Sequence, residues 1–90
     1  MRELKFTNRF KKDVKLCQKQ GKDLDKLQVV FGILISGEPI PAQYHDHPLR
    51  GNFEGYRDLH IEPDWVLIYK IENDTIVLLT ATGSHAKLLK

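Results

Sequence analysis

Four histidines, at positions 45, 47, 60 and 85, stand outside every apolar stripe of the chain, and three of them flank runs that read as strands. Histidine is the side chain whose ordinary titration falls near neutral pH, so two imidazoles in unlike surroundings can serve as acid and base in one reaction. The segment HPLRGNFEGYRDLHIEPDW, residues 47–65, adds to His47 and His60 the carboxylate of Asp64, the guanidinium of Arg57 and the indole of Trp65. A guanidinium keeps its charge and presents a fork that matches phosphate oxygens, and an indole at a strand start either stacks on an unpaired base or packs into a core. With His85, these groups suit proton transfer at a phosphodiester. His45-x-His47 with His60, Asp64 or His85 also offers ligands for a metal-dependent nuclease. It lacks the close spacing of zinc motifs, and neither a metal nor another cofactor is expected.

Bringing these residues together is the task of the elements around them. Glu3-Leu4-Lys5-Phe6 alternates with the period of a half-buried strand. Thr7 or Asn8 caps a helix in which Phe10, Val14 and Cys17 share a face while Lys11, Lys12, Lys15 and Lys19 point outward, and Gly21 ends it. Asp23 caps a second helix lined by Leu24, Leu27, Phe31 and Leu34 and stopped by Gly37. After an irregular connector over residues 38–47, three strand-like runs follow: Phe53 to Ile61, Trp65 to Ile71 and Thr75 to Ala81. Glu62-Pro63-Asp64 and Glu72-Asn73-Asp74 supply turns, so the runs predict an antiparallel meander that carries His47, His60 and His85 to one edge, with a short helix after Gly83-Ser84. The order β-α-α-β-β-β predicts one α+β domain over residues 1–90, with both helices on one face of a mostly antiparallel sheet. Arg57 shares the parity of Leu59 and Ile61, so only a bulge or a twisted strand end brings it to solvent.

Charge is unevenly spread. Residues 1–26 hold nine basic and four acidic side chains, a net of +5, and the remainder five against eight, a net of −3. Lys11, Lys12 and Lys15 are therefore either contacts for a polyanion, nucleic acid first, or a solvated helix face. No run approaches the roughly 20 apolar residues of a membrane span. Met1-Arg2-Glu3 opens no secretory leader, and Cys17 has no partner for an intramolecular disulfide, so a cytoplasmic protein without a membrane partner is expected.

The segments YHDHPLRGNFEGYRDLHIEPDWVLIYK and TGSHAKLL, with KDVKL in the first helix, resemble the YafQ branch of the RelE/ParE toxin superfamily, the toxin halves of bacterial toxin–antitoxin pairs. The resemblance implies a RelE-like fold that enters the ribosomal A site beside ribosomal RNA and cuts messenger RNA without a metal. It also implies a DinJ-like antitoxin of the RelB type, through which alone operator DNA is contacted. Its active-site positions correspond here to His47, His60, Asp64, Trp65 and His85. Leu89 stands where the family places a phenylalanine, keeping apolar contact with substrate but not aromatic stacking, and Lys90 adds a charge where the family ends neutral. The expected reaction is transesterification by a ribose 2′-hydroxyl, with His85 as acid, His60 or Asp64 as base, and His47 with Arg57 stabilising the phosphorane. The rival expectation is a ParE-like toxin that obstructs a topoisomerase without catalysis.

Overall fold

The alternation at the start of the chain forms strand β1 (Glu3–Phe6), and Thr7 then caps helix α1 (Asn8–Lys19), its hydroxyl accepting from Phe10 N at 3.0 Å. Phe10 and Cys17 are buried, and Lys11, Lys12 and Lys15 are on the outer side of α1. Asp23 caps α2 (Leu24–Ser36) by accepting from Asp25 N at 3.0 Å, and Gly37, at φ 75°, closes it in the left-handed conformation that glycine adopts at no steric cost. Both caps and both apolar faces agree with the sequence.

The computed structural model describes residues 1–89, and in it five strands form one sheet in the order β1-β5-β4-β3-β2. Strands β2 (His47–Pro48), β3 (Arg57–Glu62), β4 (Trp65–Glu72) and β5 (Ile76–Ser84) are antiparallel neighbours, whereas β1 runs parallel to β5. The fold is α+β with α1 and α2 on one face, as the element order predicts. Strand β3 begins four residues later than the alternation from Phe53 suggests. Gly51 at φ 66° and Gly55 at φ 91° turn the backbone away from extended geometry, and Gly51–Phe53 winds into a 3₁₀ turn. The last strand hands over to a short helix, α3 (His85–Leu88), capped by Ser84, whose side chain accepts from Lys87 N at 3.2 Å.

The core lies between the helices and one sheet face. Leu27, Val30 and Leu34 of α2, with Phe10 and Cys17 of α1, pack on Leu59, Leu67, Tyr69, Val77 and Leu79. Each such side chain contributes about 1.5–3 kcal/mol by leaving water. Because strand side chains alternate, committing Leu59 to the helix side turns Asp58 and His60 to the other. Among the described residues no helix is long and apolar enough to cross a membrane.

Candidate active site

Strand register assembles the imidazoles on the sheet face opposite the helices. His47 lies across from Asp58, and His60, two residues beyond Asp58, lies across from Val66, which in turn lies across from Gly83. Two residues after Gly83 comes His85, whose backbone N donates to Asp64 O at 3.1 Å and so fixes the start of α3. Gly83 leaves open the space over which Leu88 lies, 3.7 Å from where a Cβ would stand. His60 is the hub: its ring centroid is 5.5 Å from that of His85, 6.1 Å from His47 and 6.0 Å from His45.

At the floor of this cluster is Asp58, a carboxylate that sequence reasoning passed over. It is fully buried, with Oδ2 3.4 Å from His60 Nε2 and 3.5 Å from His47 Nε2, and neither oxygen has a hydrogen-bond partner among the described residues. Burial pushes its carboxyl above the ordinary range, and His60, His47 and His85 act in the opposite direction. His47 Nδ1 lies 2.8 Å from His45 O and His60 Nδ1 lies 3.4 Å from Pro63 O. Those carbonyls accept from an Nδ1–H, and the Nε2 atom of each ring faces Asp58. The signal that would have found Asp58 is its spacing: residues two apart in a strand share a face, and Asp58 shares one with His60.

Other residues named from the sequence lie elsewhere. Arg57 is on the helix side, across from Tyr69, and no bulge frees it. Its Nη2 donates to Asp46 Oδ2 at 2.8 Å and its Nε at 3.1 Å, while the Tyr69 hydroxyl donates to Asp46 Oδ1. Arg57 therefore does not face the imidazole cluster. It clamps the residue between His45 and His47. Burial first and Asp46 second push the Tyr69 phenol well above its ordinary range, so it stays a donor in this clamp. Asp64 contributes its carbonyl to His85, but its exposed carboxylate sits on the β3–β4 turn, and the carboxylate between the rings is that of Asp58.

Trp65 is a second correction. It is 1% exposed, points toward α1 and α2, and its Nε1 donates to Thr82 Oγ1 at 2.9 Å. No ring face is open to a base, and the core alternative holds. Trp65→Ala is expected to destabilise the fold by about 3–5 kcal/mol, measured by denaturant unfolding. An unchanged midpoint would mean that the indole does not hold the core together. Leu89 is half-buried, donates from its backbone N to His85 O at 2.9 Å, and lines a cleft with Leu49 and Phe53. Lys11, Lys12 and Lys15 lie on α1, and because α1 covers the other sheet face, they are away from the histidines.

The sequence profile of YafQ, a bacterial toxin of type II toxin–antitoxin systems, matches residues 2–90. The chain belongs to the YafQ toxin family. It is 48% identical over 88 residues to the mRNA interferase toxin YafQ of Escherichia coli K12, covering 97% of this chain and 95% of that protein. Its fold superposes on YafQ in the crystal structure of the E. coli DinJ–YafQ complex with a TM-score of 0.90 at 45% identity, each chain covered in full. A metal-bound toxin from Helicobacter pylori is similar at a TM-score of 0.89 and 36% identity, covering 98% of this chain and 99% of that one. The family places this chain as the toxin of a type II pair, and its E. coli relative is an mRNA interferase.

Proposed function

We propose that the chain, an mRNA interferase toxin, cleaves message in the ribosomal A site by transesterification that requires no metal. The observation that carries this is the rings of His47 on β2 and His85 on α3 gathered beside that of His60 on β3, with His47 and His60 above one buried carboxylate. In the reaction, the 2′-hydroxyl gives its proton to His60, its oxygen bonds to the adjacent phosphorus, and the P–O5′ bond breaks as His85 donates a proton to the departing oxygen. The products are a 2′,3′-cyclic phosphate and a 5′-hydroxyl. His47, half exposed beside Asp58, places positive charge near the phosphorane oxygens when protonated. Asp58 supplies the counter-charge that keeps imidazolium beside imidazole, a task that no residue was assigned from the sequence alone.

A phosphodiester at the histidines leaves α1 facing the opposite way. Lys11, Lys12 and Lys15 then contact ribosomal RNA while the other face holds the message. Reversing two of these charges is expected to lower ribosome affinity and flatten its dependence on salt by about two counterions, as binding titrations at several salt concentrations would show. An unchanged slope would leave the helix a solvated face. A DinJ- or RelB-like antitoxin holds the toxin inactive, and operator DNA is reached only through it.

His47, Asp58 and His60 also present one ligand atom each, all within 4.8 Å of one another, which fits a borderline ion such as zinc or copper. These residues would hold an ion that would supply Lewis acidity, at the cost of the Nε2 lone pairs that proton transfer uses. The test is to induce the chain and map message ends on and off ribosomes, then repeat cleavage on purified ribosomes with chelator or with added zinc. The proposal expects ribosome-bound cuts that survive chelation and stop with zinc. Growth arrest without cuts would support a ParE-like obstructing toxin, and cuts abolished by chelator would support a metal-dependent nuclease.

A further inference from the structure

The Arg57 clamp lies on the helix face of the sheet, and no step of the reaction touches it. It nonetheless stands one residue away from the reacting groups. Arg57 is the cross-strand partner of both Pro48 and Tyr69, so the three residues form a row over β2, β3 and β4. One residue along, His47 pairs with Asp58 on the opposite face. Asp46 joins the row from the chain just before β2. Arg57 Nη2 and Nε donate to its Oδ2 at 2.8 and 3.1 Å, and the Tyr69 hydroxyl donates to its Oδ1.

Strand β2 cannot hold His47 by itself. It is two residues long and lies at the sheet edge, and its second residue, Pro48, has no N–H to donate. Beyond it, Leu49 N donates to Tyr56 O at 2.9 Å. Before it the chain turns sharply. His45 stands in the left-handed conformation, φ 48° and ψ 41°, which a residue bearing a Cβ keeps only where its surroundings impose it. The carbonyl so turned lies 2.8 Å from His47 Nδ1, and the Nε2 of the same ring is 3.5 Å from Asp58 Oδ2. The His47 side chain is 50% exposed, so packing does not fix it, whereas that of Asp46 is 15% exposed and held from two strands of the sheet. Constraint therefore passes from Tyr69 and Arg57 to Asp46, from Asp46 to the turn at His45, and from the His45 carbonyl to the His47 ring.

We propose that Asp46, Arg57 and Tyr69 are positioning residues for cleavage: they hold His47 at the scissile phosphate and act on the reaction through that ring alone. The assignment rests on the reading of His47 as the group that stabilises the phosphorane. Its test measures kcat and KM on ribosome-bound message for Arg57→Lys, Asp46→Asn and Tyr69→Phe, each alone and together with His47→Ala. Arg57→Lys keeps the charge and loses the fork, so a guanidinium acting by charge would be replaced without loss. Instead kcat is expected to fall about 10- to 100-fold, as when a group orienting a reacting side chain is removed, with KM unchanged. Asp46→Asn should match it. Tyr69→Phe, which deletes one hydrogen bond and leaves the ion pair, serves where the other variants do not fold, and should show the same pattern at smaller size. With His47 already alanine, all three losses should vanish, as they do for residues that act in series. In the free protein, the His47 ring resonances should move in Arg57→Lys, while those of His85, which starts a helix anchored by Asp64 O, stay in place. Losses that persist beside His47→Ala, a rise in KM with kcat unchanged, or undiminished cutting by the variants overturns the proposal and leaves the nuclease reading intact. A His47→Ala variant that cuts as fast as the unsubstituted chain overturns the reading of His47 and the proposal with it.

Discussion

His85→Ala is expected to slow cleavage of ribosome-bound message by about 10²–10⁴-fold, the usual contribution of a placed proton donor, and to leave ribosome affinity unchanged. His85 is exposed at the start of α3, and the first backbone N–H of that helix is held by Asp64 O at 3.1 Å, so the ring is positioned by a hydrogen bond that alanine retains. The effect should therefore be chemical rather than structural. A message whose scissile linkage carries sulfur in place of O5′ separates the two. A thiolate departs without protonation, so the alanine variant should cut it about as fast as the unsubstituted chain does. If His85→Ala cuts the ordinary message undiminished, or fails to recover on the sulfur message, His85 is not the acid.

Asp58→Asn should make the protein more stable at neutral pH and less active. The carboxyl is fully buried, and burial raises its folded-state pKa above the unfolded value. Such a group binds its proton more tightly when folded, so its stabilising contribution is complete below the unfolded pKa and is lost as pH rises through the folded one. At neutral pH the ionised form is therefore a cost that asparagine removes. A gain of about 1–3 kcal/mol is expected, shrinking as pH falls toward the range where Asp58 is protonated. The amide that replaces the carboxylate brings an NH2 group that can donate to an unprotonated Nε2 of His47 or His60, so their placement survives. Without the counter-charge, cleavage should fall about 10- to 100-fold, as when a carboxylate supporting an imidazole is removed. Unfolding followed between about pH 4 and pH 8, which spans the carboxylate and imidazole ranges, checks the sign. An asparagine variant less stable at neutral pH would mean that Asp58 forms a net stabilising ion pair.

Much of the scaffold was legible because local chemistry decided it. Thr7, Asp23 and Gly37 cap the helices that their neighbours' spacing predicts, and the β3–β4 and β4–β5 turns fall where Pro63, Asn73 and Asp74 stand. Parity alone placed Arg57 on the helix side. The functional alternative, a bulge, does occur in β3, but between His60 and Glu62, too late to turn Arg57 outward. What was not legible depends on long-range register. That β1 pairs in parallel with β5 leaves no mark in Glu3–Phe6 itself, and β2 is two residues long, too short to show a period. Asp58 escaped notice for a related reason. In the sequence it is one acid among several near His60; spacing puts it on the face of His60, and its place across from His47 completes it as the floor of the cluster. Trp65 shows the converse: an aromatic beside an acidic turn suggests stacking, yet its bond to Thr82 belongs to the interior.

The central claim is that imidazoles drawn from β2, β3 and α3 carry out proton transfer around a single scissile phosphate. The most direct measurement is the chemistry of the cut ends from purified ribosomes in the presence of chelator. The account predicts 2′,3′-cyclic phosphate on the upstream fragment and a free 5′-hydroxyl on the downstream one. A 5′-phosphate facing a 3′-hydroxyl would mean that water, not the ribose, attacks, and would contradict it.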